Sequence, residues 1–444
     1  MHQMRHHANL LATALVVSAT LVISGPAADS KSKFRLDRRD KDPATRTVLY
    51  ATTRWNEGKS TDPIFGPRRH LDVGAGSTMY GTARITRPSQ LVPQEKSSDW
   101  YGFLNTVKSN DSKWKTTTLG DLRPMDDAEM FEQVKDWTGP ICVYVHGYDE
   151  SFESSMRDAA VVSYEFDRRG NWENPTLPIL FSWPSADKLS AYAEDEASAE
   201  WSAQYFTDFI SRLSKEKNDS ARIYVVAHSL GTRLAFALLN DDALIARAPI
   251  DKLILSAADY DYFQAMQRLS KLEALVKEKI FVFSSDRDGP LITSHYLHGS
   301  PRLGRPFDAP KAPLRLDDYM AKNAWDQLFN QFADIALEGG LNNPPEAATW
   351  IAKQPNIVRE LGNKSTWIDV SELVSKDAGH RLAWSLVANL LADDVSLFPL
   401  NTTIVYKRPY QSVLQQNFGT PPALYRFHRV TGNAFGTRPT SPQP

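Results

Sequence analysis

From residue 141 onward, apolar runs rich in β-branched side chains recur at 141–145 (ICVYV), 177–183 (LPILFSW), 222–227 (RIYVVA), 252–257 (KLILSA), 279–284 (KIFVFS) and 366–370 (TWIDV). A strand open to water on one face alternates apolar with polar residues. Runs this continuous suit strands buried on both faces, as in a parallel sheet. Amphipathic patterns lie between them. In 195–217, Trp201, Tyr205, Phe206, Phe209, Ile210 and Leu213 fall on one helical face. Residues 153–168, 231–246 and 261–278 also read as helices. Strand alternating with helix predicts a mostly parallel, doubly wound α/β sheet. Upstream, TVLYATTR (47–54) reads as a first strand, and residues 55–79 as a long loop before MYGTARITR.

The remainder of the chain divides around this pattern. Arg5, three histidines and the α-amino group precede LLATALVVSATLVIS, and GPAADS follows, with Gly25 and Ala27 in a small-x-small arrangement. This predicts an export signal over 1–28. The apolar run is short for a membrane span, so an N-terminal anchor is the alternative. Residues 29–45 are charged and read as a flexible lead-in, 46–398 as the α/β domain, and 399–444 as a C-terminal extension, disordered at its end. The net charge of −2 argues against nucleic acid as a partner. The single cysteine, Cys142, rules out a four-cysteine zinc site or an intrachain disulfide, and its apolar setting predicts a small buried hydrophobe.

One strand leads into chemistry. IYVVAHSLGTRLAFALL (223–239) passes from β-branched residues through Ser229 into a helical pattern. A serine there can simply cap the helix. It can also be a nucleophile on a sharp strand-to-helix turn, for which small residues are needed two places either side. Gly231 meets that need, and Ala227 stands where glycine is usual. A hydroxyl attacks an ester only with a base in hydrogen-bond reach and a third group to orient the base.

Acids belong just past the C-terminal ends of later strands. IFVFSSDRDGPL offers Asp286 and Asp288, and LILSAADYDYF offers Asp259 and Asp261. Each could instead be a helix cap or turn former. For the base, His380 follows the last strand directly, with His295, His298 and His428 as competitors. Two backbone N–H donors would face the oxyanion. Leu230, after the serine, supplies one, and VYVHGYDESF supplies Tyr148 after a turn at Gly147. The plainer reading of that turn is a strand–helix connection with His146 buried in it. His146 and His228 raise a metal site, but no carboxylate or third histidine stands nearby at ligand spacing, and none is expected.

Several ordered blocks resemble bacterial α/β-hydrolases of an uncharacterised family within the esterase/lipase superfamily. They are VLYATTR (48–54), VYVHGYDESFESSMRDAA (143–160), ILFSWPSADKLSAYAEDEASAEWSA (179–203), VVAHSLGTRL (225–234), SAADYDYF (256–263), SSDRDGPL…LHGSPRLG (284–304) and IDVS…GH…VANLLADDV (368–395). The blocks span about 46–396. The resemblance implies Ser229 as nucleophile, Asp288 in the D-x-x-L element as the acid, Asp259 as runner-up, His380 as the base, and Tyr148 and Leu230 as oxyanion donors. It also implies ester hydrolysis, a chemistry that needs no cofactor, with a non-catalytic lipid- or partner-binding protein of this fold, or a serine peptidase, as the alternatives. The expected substrate is a small-molecule or lipid ester, with transient contact to a membrane surface as a further expectation.

The chain departs from that family between PRLG and WIDVS, where about 60 residues replace a short connection. In 316–340, Trp325, Leu328, Phe329, Phe332, Ile335 and Ala336 share one helical face, and a second helix is expected over 344–361. A helical insertion over 305–365 is therefore expected, as a candidate lid between acid and base, or as a decoration or dimer surface.

Overall fold

A computed structural model describes residues 45–70, 78–88, 113–117, 119–169, 174–285, 288–305, 364–369, 380 and 427–429. The export signal at 1–28, nearly all of the lead-in, the helices expected within 306–363 and most of the 399–444 extension lie outside the described residues, as does Asp286.

In chain order the first elements are β1 (Thr45–Thr52), β2 (Arg54–Asn56), β3 (Phe65–Arg69), β4 (Met79–Thr86), β5 (Leu119–Met125), α1 (Asp127–Lys135), β6 (Ile141–Val145) and α2 (Phe152–Arg169). Then come β7 (Leu177–Ser182), α3 (Tyr192–Glu216), β8 (Ile223–His228), α4 (Gly231–Ala237), α5 (Asp242–Arg247) and β9 (Ile250–Ser256). The last are α6 (Tyr262–Leu275), β10 (Val276–Ser284), α7 (Gly289–His298), β11 (Ser365–Asp369) and β12 (Phe427–Arg429).

Among the described residues, ten strands form one sheet in the order β12-β11-β10-β9-β8-β6-β7-β1-β4-β5. Every pairing from β12 to β1 is parallel, and β4 and β5 add an antiparallel edge. β6, β7 and β8 are buried at every position, as their unbroken apolar character demands. Successive side chains serve opposite faces. Leu180 of β7 joins a cluster with Phe152, Met156 and Ala160 of α2. Its neighbour Phe181 meets Phe206 and Phe209 of α3, with ring centroids 4.9 and 5.8 Å away.

The winding reverses at β6. The chain leaves β6 through α2 for β7 on one side, then returns through α3 to lay β8 on the other. The crevice at the C-terminal ends of β6 and β8 is thus the switch point where open α/β sheets place their sites.

Three local expectations change, and two elements are new. The loop expected over 55–79 contains the β2–β3 hairpin, a separate two-stranded sheet. The helix expected over 231–246 breaks into α4 and α5, because Asp241 leaves helical geometry (φ −107°) and caps α5 by accepting from Leu244 N–H. The helix expected to 278 ends at Leu275, where Val276 passes directly into β10 and pairs with Ile250. β5 and α1 have no counterpart in the sequence reading. Pro124 in β5 argues against a central strand, yet an edge strand tolerates it. Among the described residues no helix is long and apolar enough to cross a membrane.

Candidate active site

Ser229 lies between β8 and α4 with φ 50°, the left-handed region that L-residues avoid. The turn is fixed on both sides. Its N–H donates to Ser256 O at 3.0 Å, while its carbonyl accepts from Thr232 N–H, the Thr232 hydroxyl and Asp259 N–H at 3.1, 2.7 and 3.2 Å. The capping position of α4 belongs to Leu230, and no side chain caps it. The Ser229 hydroxyl is therefore not a helix cap.

It points elsewhere. Ser229 Oγ lies 2.9 Å from His380 Nε2, and His380 Nδ1 lies 2.9 and 3.0 Å from the two Asp288 oxygens. A carboxylate against Nδ1 selects the Nδ1–H tautomer, which leaves Nε2 to accept from the hydroxyl. Asp288 is fully buried and also caps α7, accepting from Leu291 N–H at 2.9 Å. Burial raises its pKa above the usual aspartate value, with His380 and the Leu291 N–H pulling the other way. The structure thus brings three of the nominated side chains into one hydrogen-bonded chain.

The competitors have other partners. Asp259, the runner-up acid, accepts from the Tyr192 and Ser294 hydroxyls, each at 2.6 Å, and pairs with Arg302 at 3.2 Å. Asp261 caps α6. His298 bridges Glu196 and Ser294 O, each at 2.8 Å. His295 is half-buried on α7, its pKa lowered by burial and by Arg305 and Arg302. His428 falls in β12.

The loop after β6 is built on His146. Its ring stacks on Trp183 at 4.7 Å, Nε2 accepts from Trp183 N–H at 3.1 Å, and Nδ1–H donates to Gly147 O at 2.8 Å. Burial and the Arg54 guanidinium hold its pKa well below the ordinary value, so it is neutral. With the Gly147 carbonyl turned to His146, planarity of that peptide sends the Tyr148 N–H to the opposite side. Tyr148 lines one cleft with Ser229 and His380. The sequence assigns Gly147 a sharp turn, but its φ is ordinary and the positive value falls on Asp149, at 57°. What Gly147 provides is room: an added Cβ would lie 2.7 Å from His228 Nδ1 and 2.8 Å from Ser229 Cβ.

Sequence reasoning missed three supporting groups. His228 Nε2–H donates to the backbone carbonyl of His380 at 3.1 Å, so the residue before Ser229 holds the backbone of its partner. Arg54, 1% exposed, donates to Ser182 Oγ at 2.8 Å and to the carbonyls of Glu150 at 2.7 Å and Ser185 at 3.2 Å. It ties the loop after β6 to the end of β7, and burial pushes its pKa down to about 10. The Tyr192–Asp259–Ser294–Arg302 network is the third. Tyr192, Asp259 and Arg302 sit in blocks that carry the family resemblance, whereas nothing in the spacing marks Ser294. Among the described residues no cluster of His, Cys, Asp and Glu is placed to hold a metal.

A mostly parallel sheet covered by helices, with a serine on a left-handed turn beyond the strand at its switch point, defines an α/β-hydrolase fold. Residues 125–332 match the model of a family described as alpha/beta hydrolase of unknown function (DUF900). The resemblance to an uncharacterised α/β-hydrolase family therefore holds, over a narrower stretch than 46–396. That stretch contains Tyr148, Ser229, Leu230 and Asp288 and stops short of His380. No curated protein and no solved structure matches the chain.

Proposed function

We propose that this chain is an exported serine hydrolase of carboxylic esters, with export resting on the pattern of residues 1–28. The observation that carries the chemistry is the continuous chain from Ser229 Oγ through His380 to Asp288, at 2.9 Å on either side of the imidazole. His380 Nε2 takes the hydroxyl proton as Ser229 Oγ attacks the acyl carbon. The oxyanion rests on the N–H groups of Leu230 and Tyr148. Collapse expels the alcohol, which takes the proton from His380, and leaves an acyl-serine. Water then gives its proton to His380, attacks the acyl-serine, and the acid leaves as Oγ regains the proton. Asp288 stabilises the imidazolium formed in each half without itself being protonated.

The test is labelling of the purified chain by a fluorophosphonate probe, beside Ser229→Ala and His380→Ala. Wild type is expected to label, Ser229→Ala not at all, and His380→Ala far more slowly. Labelling that survives in Ser229→Ala would refute the assignment of the nucleophile.

A further inference from the structure

The cleft beside Ser229 has a size and a chemistry of its own. Tyr148 and Tyr192 line it together with Pro290, Thr293 and Leu297 of α7, and among the described residues these walls leave room for about one water-sized sphere, about 10 Å³. The acyl group, unlike the alcohol, stays bonded to Ser229 Oγ through the second half of the reaction. It is therefore the part of the ester that must fit here, while the alcohol can project outward.

The walls are not free to rotate aside. The Tyr192 ring stands edge-on to Tyr148 at 5.4 Å, and its hydroxyl is bonded to Asp259 at 2.6 Å. Ser294 donates to the same carboxylate at 2.6 Å and accepts from Arg302 Nε at 2.9 Å. Asp259, Ser294 and Arg302 are each 2% exposed or less. Enlarging the cleft on that side would strip buried charged and polar groups of their partners, which strongly disfavours it. Asp259 and Ser294 also line the cleft and are buried, so a longer alkyl chain held there would lie against a carboxylate and a hydroxyl.

We propose that this site is selective for acetyl-sized acyl groups, with Leu297 and Thr293 setting the limit and the Tyr192–Asp259–Ser294–Arg302 network holding Tyr192 and α7 in place. The inference rests on the reading of Ser229 as nucleophile. One methylene in a hydrophobic pocket is worth about 10- to 200-fold in discrimination, and butyrate carries two more than acetate.

The experiment compares kcat/KM for p-nitrophenyl acetate, butyrate and octanoate on wild type, Leu297→Ala and Thr293→Ala, with fluorophosphonate labelling run in parallel. Wild type is expected to prefer acetate over butyrate by about tenfold or more and to leave octanoate untouched. Either substitution should raise butyrate turnover relative to acetate. Butyrate or octanoate turned over as fast as acetate by wild type overturns the proposal, as does labelling of Ser229 without acetate hydrolysis. In both of those outcomes the serine reading stands. Absence of labelling together with absence of hydrolysis overturns the serine reading, and this inference with it.

Discussion

Asp288 does two jobs with one side chain, and its burial sets them against each other. Its oxygens hold His380 Nδ1 while one of them also caps α7. A carboxyl whose folded pKa is raised contributes stability below its ordinary value near 3.8, and loses it as pH rises through the folded value. At neutral pH the charge is thus a net cost to the fold. Asparagine caps a helix as well as aspartate does. Asp288→Asn should therefore leave the melting temperature unchanged or higher while lowering kcat by about 10⁴-fold, because the imidazole loses the partner that selects its tautomer. Ester hydrolysis and thermal unfolding of the same preparation check both halves. A destabilised variant would mean that the carboxylate is favoured in the fold. Residues at this scale were legible in part. Ser229 declared itself because a small-residue pattern stood between a strand and a helix. Asp259 and Asp288 both follow strand ends, and only the resemblance ranked them. His228 was invisible as a support, since its role depends on where a loop 152 positions away returns.

The elements that meet at the site are packed at backbone contact, and glycine permits it. A Cβ on Gly231 would fall inside contact distance of the His146 carbonyl oxygen and 2.7 Å from that of Val145. These are backbone atoms of β6 and the turn beyond it, so they cannot swing aside. Gly231→Ala should push α4 off β6 and cost about 1–3 kcal/mol. The same shift should lower activity, because α4 begins two residues after Ser229. Denaturant unfolding measures the first effect and ester turnover the second. An unchanged midpoint would mean that α4 has slack against β6. The central strands could be read from the sequence because burial on both faces leaves little but apolar residues in them. The β2–β3 hairpin and β5 could not, because those short segments carry glycine, proline and charge as loops do, whereas α1 was passed over although Asp126 caps it and Met130, Phe131 and Val134 form its buried face. The break between α4 and α5 escaped for a different reason. Apolar spacing runs straight through it, and only the capping bond of Asp241 marks the boundary.

At the scale of the molecule, the order of strands could not be read from the pattern, whereas the presence of a doubly wound sheet could. Periodicity reports which faces are buried and says nothing about which strand lies beside which. The reversal at β6 is what brings the loops after β6 and β8 together, and His146 lies at that seam. It is neutral in the fold because burial and Arg54 disfavour its charge. In the unfolded chain it titrates near its ordinary value of 6.5. A base with a depressed folded pKa contributes stability that is complete above the unfolded value and declines below it, by about 1.4 kcal/mol per pH unit. Urea unfolding of the wild type at pH 7 and pH 5 should show this loss, and His146→Asn should show a shallower one. Parallel slopes would mean that His146 carries its proton inside the fold. The hydrogen bond between Ser229 and His380 joins residues 151 positions apart. While the chain is being synthesised, Ser229, its turn and the strands on both sides of β8 can all exist before residue 380 has been added. On the proposed mechanism, a serine whose base arrives that late is chemically silent on the ribosome, and the growing chain cannot act on the esters around it.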